Sequence, residues 1–157
     1  MIEIEHKFLL KNDDWKASAS DGIRYQQGYI ATHSETTVRV RIAGDKGYLT
    51  LKGPSSGEEN ISRTELEYEI PLYDARTMIN ELVDSPIIDK HRHLVIHAGK
   101  TWEIDVFSGD NAGLVIAEIE LSSEHEEFEI PGWVGQCVST DSRYSNYSLA
   151  RVPFKDW

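Results

Sequence analysis

Eight stretches of this chain alternate with period two, and in nearly all of them one face is apolar while the other carries charge. MIEIEHKFLL puts Ile2, Ile4, His6 and Phe8 on one face and Glu3, Glu5 and Lys7 on the other. TTVRVRIAG sets Val38, Val40 and Ile42 against Arg39 and Arg41, and YLTLKG sets Leu49 and Leu51 against Tyr48, Thr50 and Lys52. ISRTELEYEI opposes Arg63, Glu65, Glu67 and Glu69 to Thr64, Leu66, Tyr68 and Ile70. IIDKHRHLVIH groups Lys90 with Arg92, TWEIDVF groups Glu103 with Asp105, and LVIAEIEL groups Glu118 with Glu120. RYQQGYIAT, ending near Thr32, completes the set.

An open antiparallel sheet with one solvated face explains any single strand of this kind. It explains the set poorly, because solvated faces mix Ser, Thr, Gln and Lys, whereas these strands carry blocks such as Arg-Arg, Glu-Glu-Glu and Lys-Arg. Closing the sheet gathers the blocks in one lumen, turns the apolar residues outward under helices and loops, and removes the exposed edges. The expectation is an α+β chain, mainly antiparallel β, forming a closed eight-stranded barrel or tunnel with a few flanking helices.

The remaining segments fit around such a barrel. Lys11 to Asp21 reads as loop or a short helix near Trp15, Gly44 to Gly47 as a hairpin turn, and GPSSGEEN as flexible loop. LYDARTMINELV is the one convincing helix, with Leu72, Ala75, Ile79 and Leu82 at helical spacing. From Ser122 onward the chain reads as irregular, with PGWVGQCV and SNYSLAR as short helical turns.

At 157 residues, with neither a domain-sized linker nor a low-complexity tract, residues 1–157 read as a single domain. Asp and Glu number 27 against 16 Lys and Arg, a net charge of −11 that argues against a nucleic-acid-coating protein but not against a local basic pocket. The single Cys137 excludes an intramolecular disulfide and fits a reducing compartment. Without a signal-like start or a run long enough to span a bilayer, the expectation is a soluble cytoplasmic protein with no membrane or nucleic-acid partner. Oligomeric state is left open, a homodimer included. His91, His93 and His97 face away from the lumen in this reading, the tryptophans pack, and the run Glu124, Glu126, Glu127 and Glu129 is solvated.

Guanidinium and ammonium groups suit phosphate oxygens, and carboxylates suit hard divalent cations such as Mg2+ or Mn2+. Both sets in one lumen imply a polyanion bound with metal.

The ordered set EIEHK, VRVR, TLK, SRTELEYE, KHR, WEIDVF, AEIEL and YSNYSLA resembles the CYTH domains, the triphosphate tunnel metalloenzymes, over essentially the whole chain. The length is similar to the small bacterial members that hydrolyse inorganic triphosphate, and QGYI resembles a segment of theirs that carries an active-site tyrosine, here Tyr29. His6 stands where short bacterial members often have arginine. The resemblance implies that Glu3, Glu5, Glu118 and Glu120 hold Mg2+ or Mn2+, and that Lys7, Arg39, Arg41, Lys52, Lys90 and Arg92 cradle the triphosphate. Glu65, Glu67 and Asp105 would serve a second cation or position water, and Glu5, Lys90 and Tyr29 would bear most directly on turnover. It implies metal-dependent hydrolysis of inorganic triphosphate to diphosphate and phosphate. Adenylyl cyclase, thiamine- or nucleoside-triphosphatase, and a non-catalytic polyphosphate-binding module are the alternatives.

Overall fold

Each of the eight alternating stretches forms a strand in the computed structural model, which describes residues 1–33 and 35–157. These are β1 (Ile2–Leu10), β2 (Ile23–His33), β3 (Thr36–Ala43), β4 (Lys46–Ser56), β5 (Ser62–Ile70), β6 (Ile88–His97), β7 (Lys100–Phe107) and β8 (Val115–Glu120). The strands pair antiparallel in the order β5-β4-β3-β2-β6-β7-β8-β1, and β1 returns to β5 through Ile2–Thr64, Glu3–Arg63 and Ile4–Ser62. The sheet is therefore a closed eight-stranded barrel. The β3–β4 hairpin turns on Gly44 and Asp45, with Gly44 at φ 61°, a conformation glycine adopts without steric cost.

Alternation then sorts the side chains. Phe8, Trp102, Ile104, Ala117 and Ile119 point outward and are buried under Trp15, Leu121, Trp133 and Val134. On the opposite flank lies α1 (Leu72–Glu81), whose buried Ala75 packs over β3 and β4. Two glycines permit this close approach: a Cβ on Gly47 would stand 2.6 Å from the Ala75 Cβ, and one on Gly28 would stand 2.5 Å from Val83 Cγ1. Val40, fully buried, belongs to the same outward face.

Three local expectations are corrected. β4 continues through Ser56 after a register shift beyond Lys52, so the first half of GPSSGEEN is strand because β5 offers it an edge. PGWVGQCV is not helical: Val134–Cys137 is a ninth strand, β9, paired with Phe8 and Leu10 of β1. The acidic run is not merely solvated, since Glu124 accepts from Ser62 Oγ and Glu126 accepts from the Ser122 amide and pairs with Lys100. SNYSLAR does turn helical as α2 (Asn146–Arg151), capped by Ser145 Oγ accepting from the Ser148 amide at 3.1 Å.

The outward apolar shell holds this fold together, so Val40→Asp or Ile119→Asp should cost at least ~3 kcal/mol by burying an unpaired carboxylate. Arg39→Ala, facing inward, should change stability by no more than about 1 kcal/mol, because it relieves repulsion with Arg41 while losing two long hydrogen bonds. Urea unfolding of the three variants checks this, and a destabilised Arg39→Ala beside an unaffected Val40→Asp would mean that the two faces are interchanged.

Candidate active site

The strand order places β8, β1 and β5 on one side of the lumen and β3, β2 and β6 on the other. The first side carries Glu3, Glu5, Glu65 and Glu120, and the second carries Arg39, Arg41 and Arg92. Each pole is crowded with its own sign. Burial first, then the neighbouring Glu3, Glu5 and Glu65 carboxylates, raises the Glu120 pKa. Burial and the repulsion of Arg39 and Arg92 likewise push Arg41 down to about 10. The lumen is polar almost throughout, a cavity of about 170 Å3 that opens into a mouth cavity of about 330 Å3.

Three cations hold the lumen carboxylates. Lys7 Nζ donates to Glu5 Oε1 at 2.6 Å and to Glu118 Oε1 at 2.7 Å, and these carboxylates outweigh burial to raise its pKa. Lys52 Nζ sits 2.6 Å from Glu3 Oε2 and 2.8 Å from Glu65 Oε2. Arg92 spans Asp105 at 2.7 Å, Glu118 at 3.0 Å and Glu103. Glu118 stays well below the ordinary carboxylate range despite burial, because Lys7, Arg92 and Lys90 surround it. Glu103 moves the other way, raised chiefly by burial and only partly offset by Arg92.

Beneath the cavity wall lies a second layer. Lys90 and Asp105 are wholly buried and bond to each other at 2.6 Å, and both Asp105 oxygens are also taken by Arg92. Desolvation lowers Lys90 to about 8. Its ammonium also accepts company from two rings, lying 5.5 Å from the Phe107 centroid and 6.0 Å from that of Tyr25. Tyr25 additionally carries Arg41 at 5.0 Å and Arg92 at 5.1 Å, so one ring backs three cations. Farther along, the inward positions turn apolar: Leu9, Ile88, Phe107 and Ile116 pack with Leu149 and Ala150 of α2. Tyr29 joins this cluster, edge-on to Tyr147 at 5.3 Å, while also bordering the mouth cavity.

Comparison with known proteins gives a consistent picture. Residues 1–151 match the CYTH domain. The chain belongs to the CYTH family. It is 47% identical over 155 residues to the inorganic triphosphatase of Acetivibrio thermocellus, covering 99% of this chain and 97% of that one. It is 32% identical to the inorganic triphosphatase of Nitrosomonas europaea, over 96% of this chain and 97% of that protein. The crystal structure of the inorganic triphosphatase NE1496 superposes with a TM-score of 0.67 at 29% identity, covering 94% of this chain and 93% of that one.

In this CYTH barrel, Glu3, Glu5, Lys7, Arg39, Arg41, Lys52, Glu65, Glu67, Arg92, Glu118 and Glu120 line one cavity, as alternation expects. Lys90 and Asp105 do not reach that wall: both are fully buried, and both Asp105 oxygens are engaged by Lys90 and Arg92. Glu69 lies outside, in an exposed pair with Lys46. Sequence reasoning overlooked Glu103, whose phase beside Asp105 already marked it as inward. It also overlooked Tyr25, Asn146 and Ser139, which no charge pattern signals.

These shifts define an acid profile with two limbs. Glu103 and Glu120, raised when folded, bind protons more readily in the folded state, so stability should rise slightly as pH falls from 7 toward about 5. Glu118 and Asp105, depressed when folded, contribute stability that is present above about 4.3 and lost as pH falls through their lower folded values. Thermal melts from pH 7 to 2 should therefore show a shallow maximum and then a steep loss. A steady decline beginning at neutral pH would contradict the assignment.

Proposed function

We propose that this CYTH protein hydrolyses inorganic triphosphate to diphosphate and phosphate in the barrel lumen, and that it uses a divalent cation to do so. The observation that carries this reading is the opposition of the two poles. A triphosphate offers oxygens to Arg39, Arg41 and Arg92 on one side of the barrel, and the acidic residues on the other side would repel it unless a cation intervened. The named activities of the relatives support the same choice.

The donor set suits a hard cation. Glu3, Glu5 and Glu120, with Glu118 behind them and Glu65 and Glu67 flanking, supply only carboxylate oxygen, the chemistry Mg2+ and Mn2+ take. Among the described residues no three such side chains converge on one point, because Lys7 and Lys52 hold Glu5, Glu118, Glu3 and Glu65 in ion pairs. Such a cation, when bound, supplies charge neutralisation at the phosphoryl oxygens. Glu3, Glu5, Glu65 and Glu118 would hold it, and Lys7 and Lys52, which pair with those carboxylates on the same cavity wall, would donate to the phosphate chain. Arg39 and Arg41 orient that chain by forked hydrogen bonds, and the Tyr25 ring keeps Arg41 and Arg92 aimed despite their mutual repulsion. Asp105 acts as a positioning residue, fixing Arg92 and Lys90. Tyr29, at the mouth, bounds the site where the attacking water enters. Holding the phosphoryl group in line between these groups accounts for catalysis by position and electrostatics.

Phosphate release from triphosphate should require Mg2+ or Mn2+ and stop with a chelator, and activity that survives chelation would end the metal-dependent reading. Glu5→Gln should lower turnover by ~100-fold or more, partly restored at higher metal concentration. Lys90→Ala should lose turnover that metal does not restore, since its partner is Asp105 rather than the acidic pole. Steady-state kinetics across a metal titration, with melting curves to confirm folding, separate the two. Metal rescue of Lys90→Ala alone would reverse the roles.

A further inference from the structure

Six residues border both the mouth cavity and the deeper lumen cavity: Glu3, Glu5, Lys7, Arg39, Lys52 and Asn146. Five are charged and already belong to the proposed metal and phosphate sites. The sixth is a neutral amide on the first residue of α2, half-buried where the two cavities meet.

The orientation of that amide is fixed from behind. Lys90 Nζ, which can only donate, reaches Asn146 Oδ1 at 3.2 Å. The carbonyl end therefore faces Lys90, and the Nδ2 end with its two N–H donors is turned the other way. Among the described residues Nδ2 donates to no protein acceptor, although the wall around it is rich in charge. Lys90 is itself immobilised by Asp105 at 2.6 Å, so the chain Asp105–Lys90–Asn146 holds the donor in place. A neutral donor also suits this wall, because it offers a hydrogen bond to an anion without adding to the repulsion among Arg39, Arg41 and Arg92.

We propose that Asn146 is a substrate-contacting residue, its Nδ2 donating to a phosphate oxygen of triphosphate where the chain passes from mouth to lumen while Lys90 holds its Oδ1. This rests on the triphosphatase reading above, and it gives α2 a part in substrate recognition besides its packing.

The test compares Asn146→Asp with Asn146→Ala, using triphosphate with Mg2+ in calorimetry and in steady-state kinetics. Aspartate keeps an oxygen acceptor for Lys90 and replaces the N–H donors with a negative oxygen, whereas alanine removes both ends. A substrate contact requires Asp to be the worse variant, with Kd and KM raised about tenfold or more and alanine falling between it and the wild type. A residue that merely supports Lys90 gives the opposite order, with Asp near wild type and alanine impaired, and that order overturns the inference. Melting temperatures without ligand show whether either variant fails to fold. If aspartate fails, alanine decides alone: wild-type Kd and KM overturn the inference, and a raised Kd with kcat retained supports it. Wild-type protein that binds triphosphate without releasing phosphate removes the proposed reaction and leaves the order of Kd values to decide the contact. Wild-type protein that binds none overturns both.

Discussion

Charges enclosed in a low-dielectric lumen must neutralise one another, and the geometry of this barrel follows from how they do it. Removing an ammonium or carboxylate from water costs several kcal/mol, roughly, and close pairing is what offsets it. Lys7 links β1 to β8, Arg92 links β6 to β7 and β8, and Lys52 links β4 to β1 and β5. The pairs thus bridge strands on the lumen side, Arg92 reaching past β7 to β8 and Lys52 past β5 to β1. They are a poor source of net stability, however, since pairing returns little beyond what desolvation takes. Stability comes instead from the outward face, where Trp102, Ile104 and Ile119 lie under Trp133 and Leu121. The inside can therefore be tuned for binding while the outside maintains the fold.

That division is why so much was legible in the sequence. A strand's side chains alternate strictly, so one glance at Arg39-Val40-Arg41 or Glu118-Ile119-Glu120 assigns both faces, and blocks of like charge on one face imply enclosure. What a single strand cannot disclose is depth. Lys90 and Arg92 share a face and look equivalent, yet the register Lys90–Phe107 and Arg92–Asp105 sets the first beneath the wall and the second in it. Depth depends on the stagger between strands, which no one strand contains. β9 was hidden for a related reason: four residues without alternation become strand only because β1 has an edge to offer at Phe8 and Leu10.

The same stagger makes the barrel interior two-toned. Along β1 the inward series runs Glu3, Glu5, Lys7 and then Leu9, and Phe107 and Ile116 change character in step with it. Beyond that point the interior is an ordinary apolar core, sealed by Leu149 and Ala150 of α2. The apolar floor bars water from one side of Lys90 and Asp105, which pulls Lys90 down, whereas Arg92 and Lys90 outweigh the same burial and keep Asp105 ionised.

β1 has no neighbour close to it in sequence. Its partners are β5, β8 and β9, and the Lys7–Glu118 bond joins residues 111 positions apart. The hairpins from β2 to β5, by contrast, each unite adjacent segments. During synthesis the meander can assemble while its chain emerges, and Glu3 can already meet Lys52 of β4, but Lys7 cannot meet Glu118 until β8 has left the ribosome. Long-range pairings of this kind raise contact order and slow folding. The Lys7–Glu118 bond thus forms only when β8 closes the ring, and ring closure and completion of the site become one kinetic event.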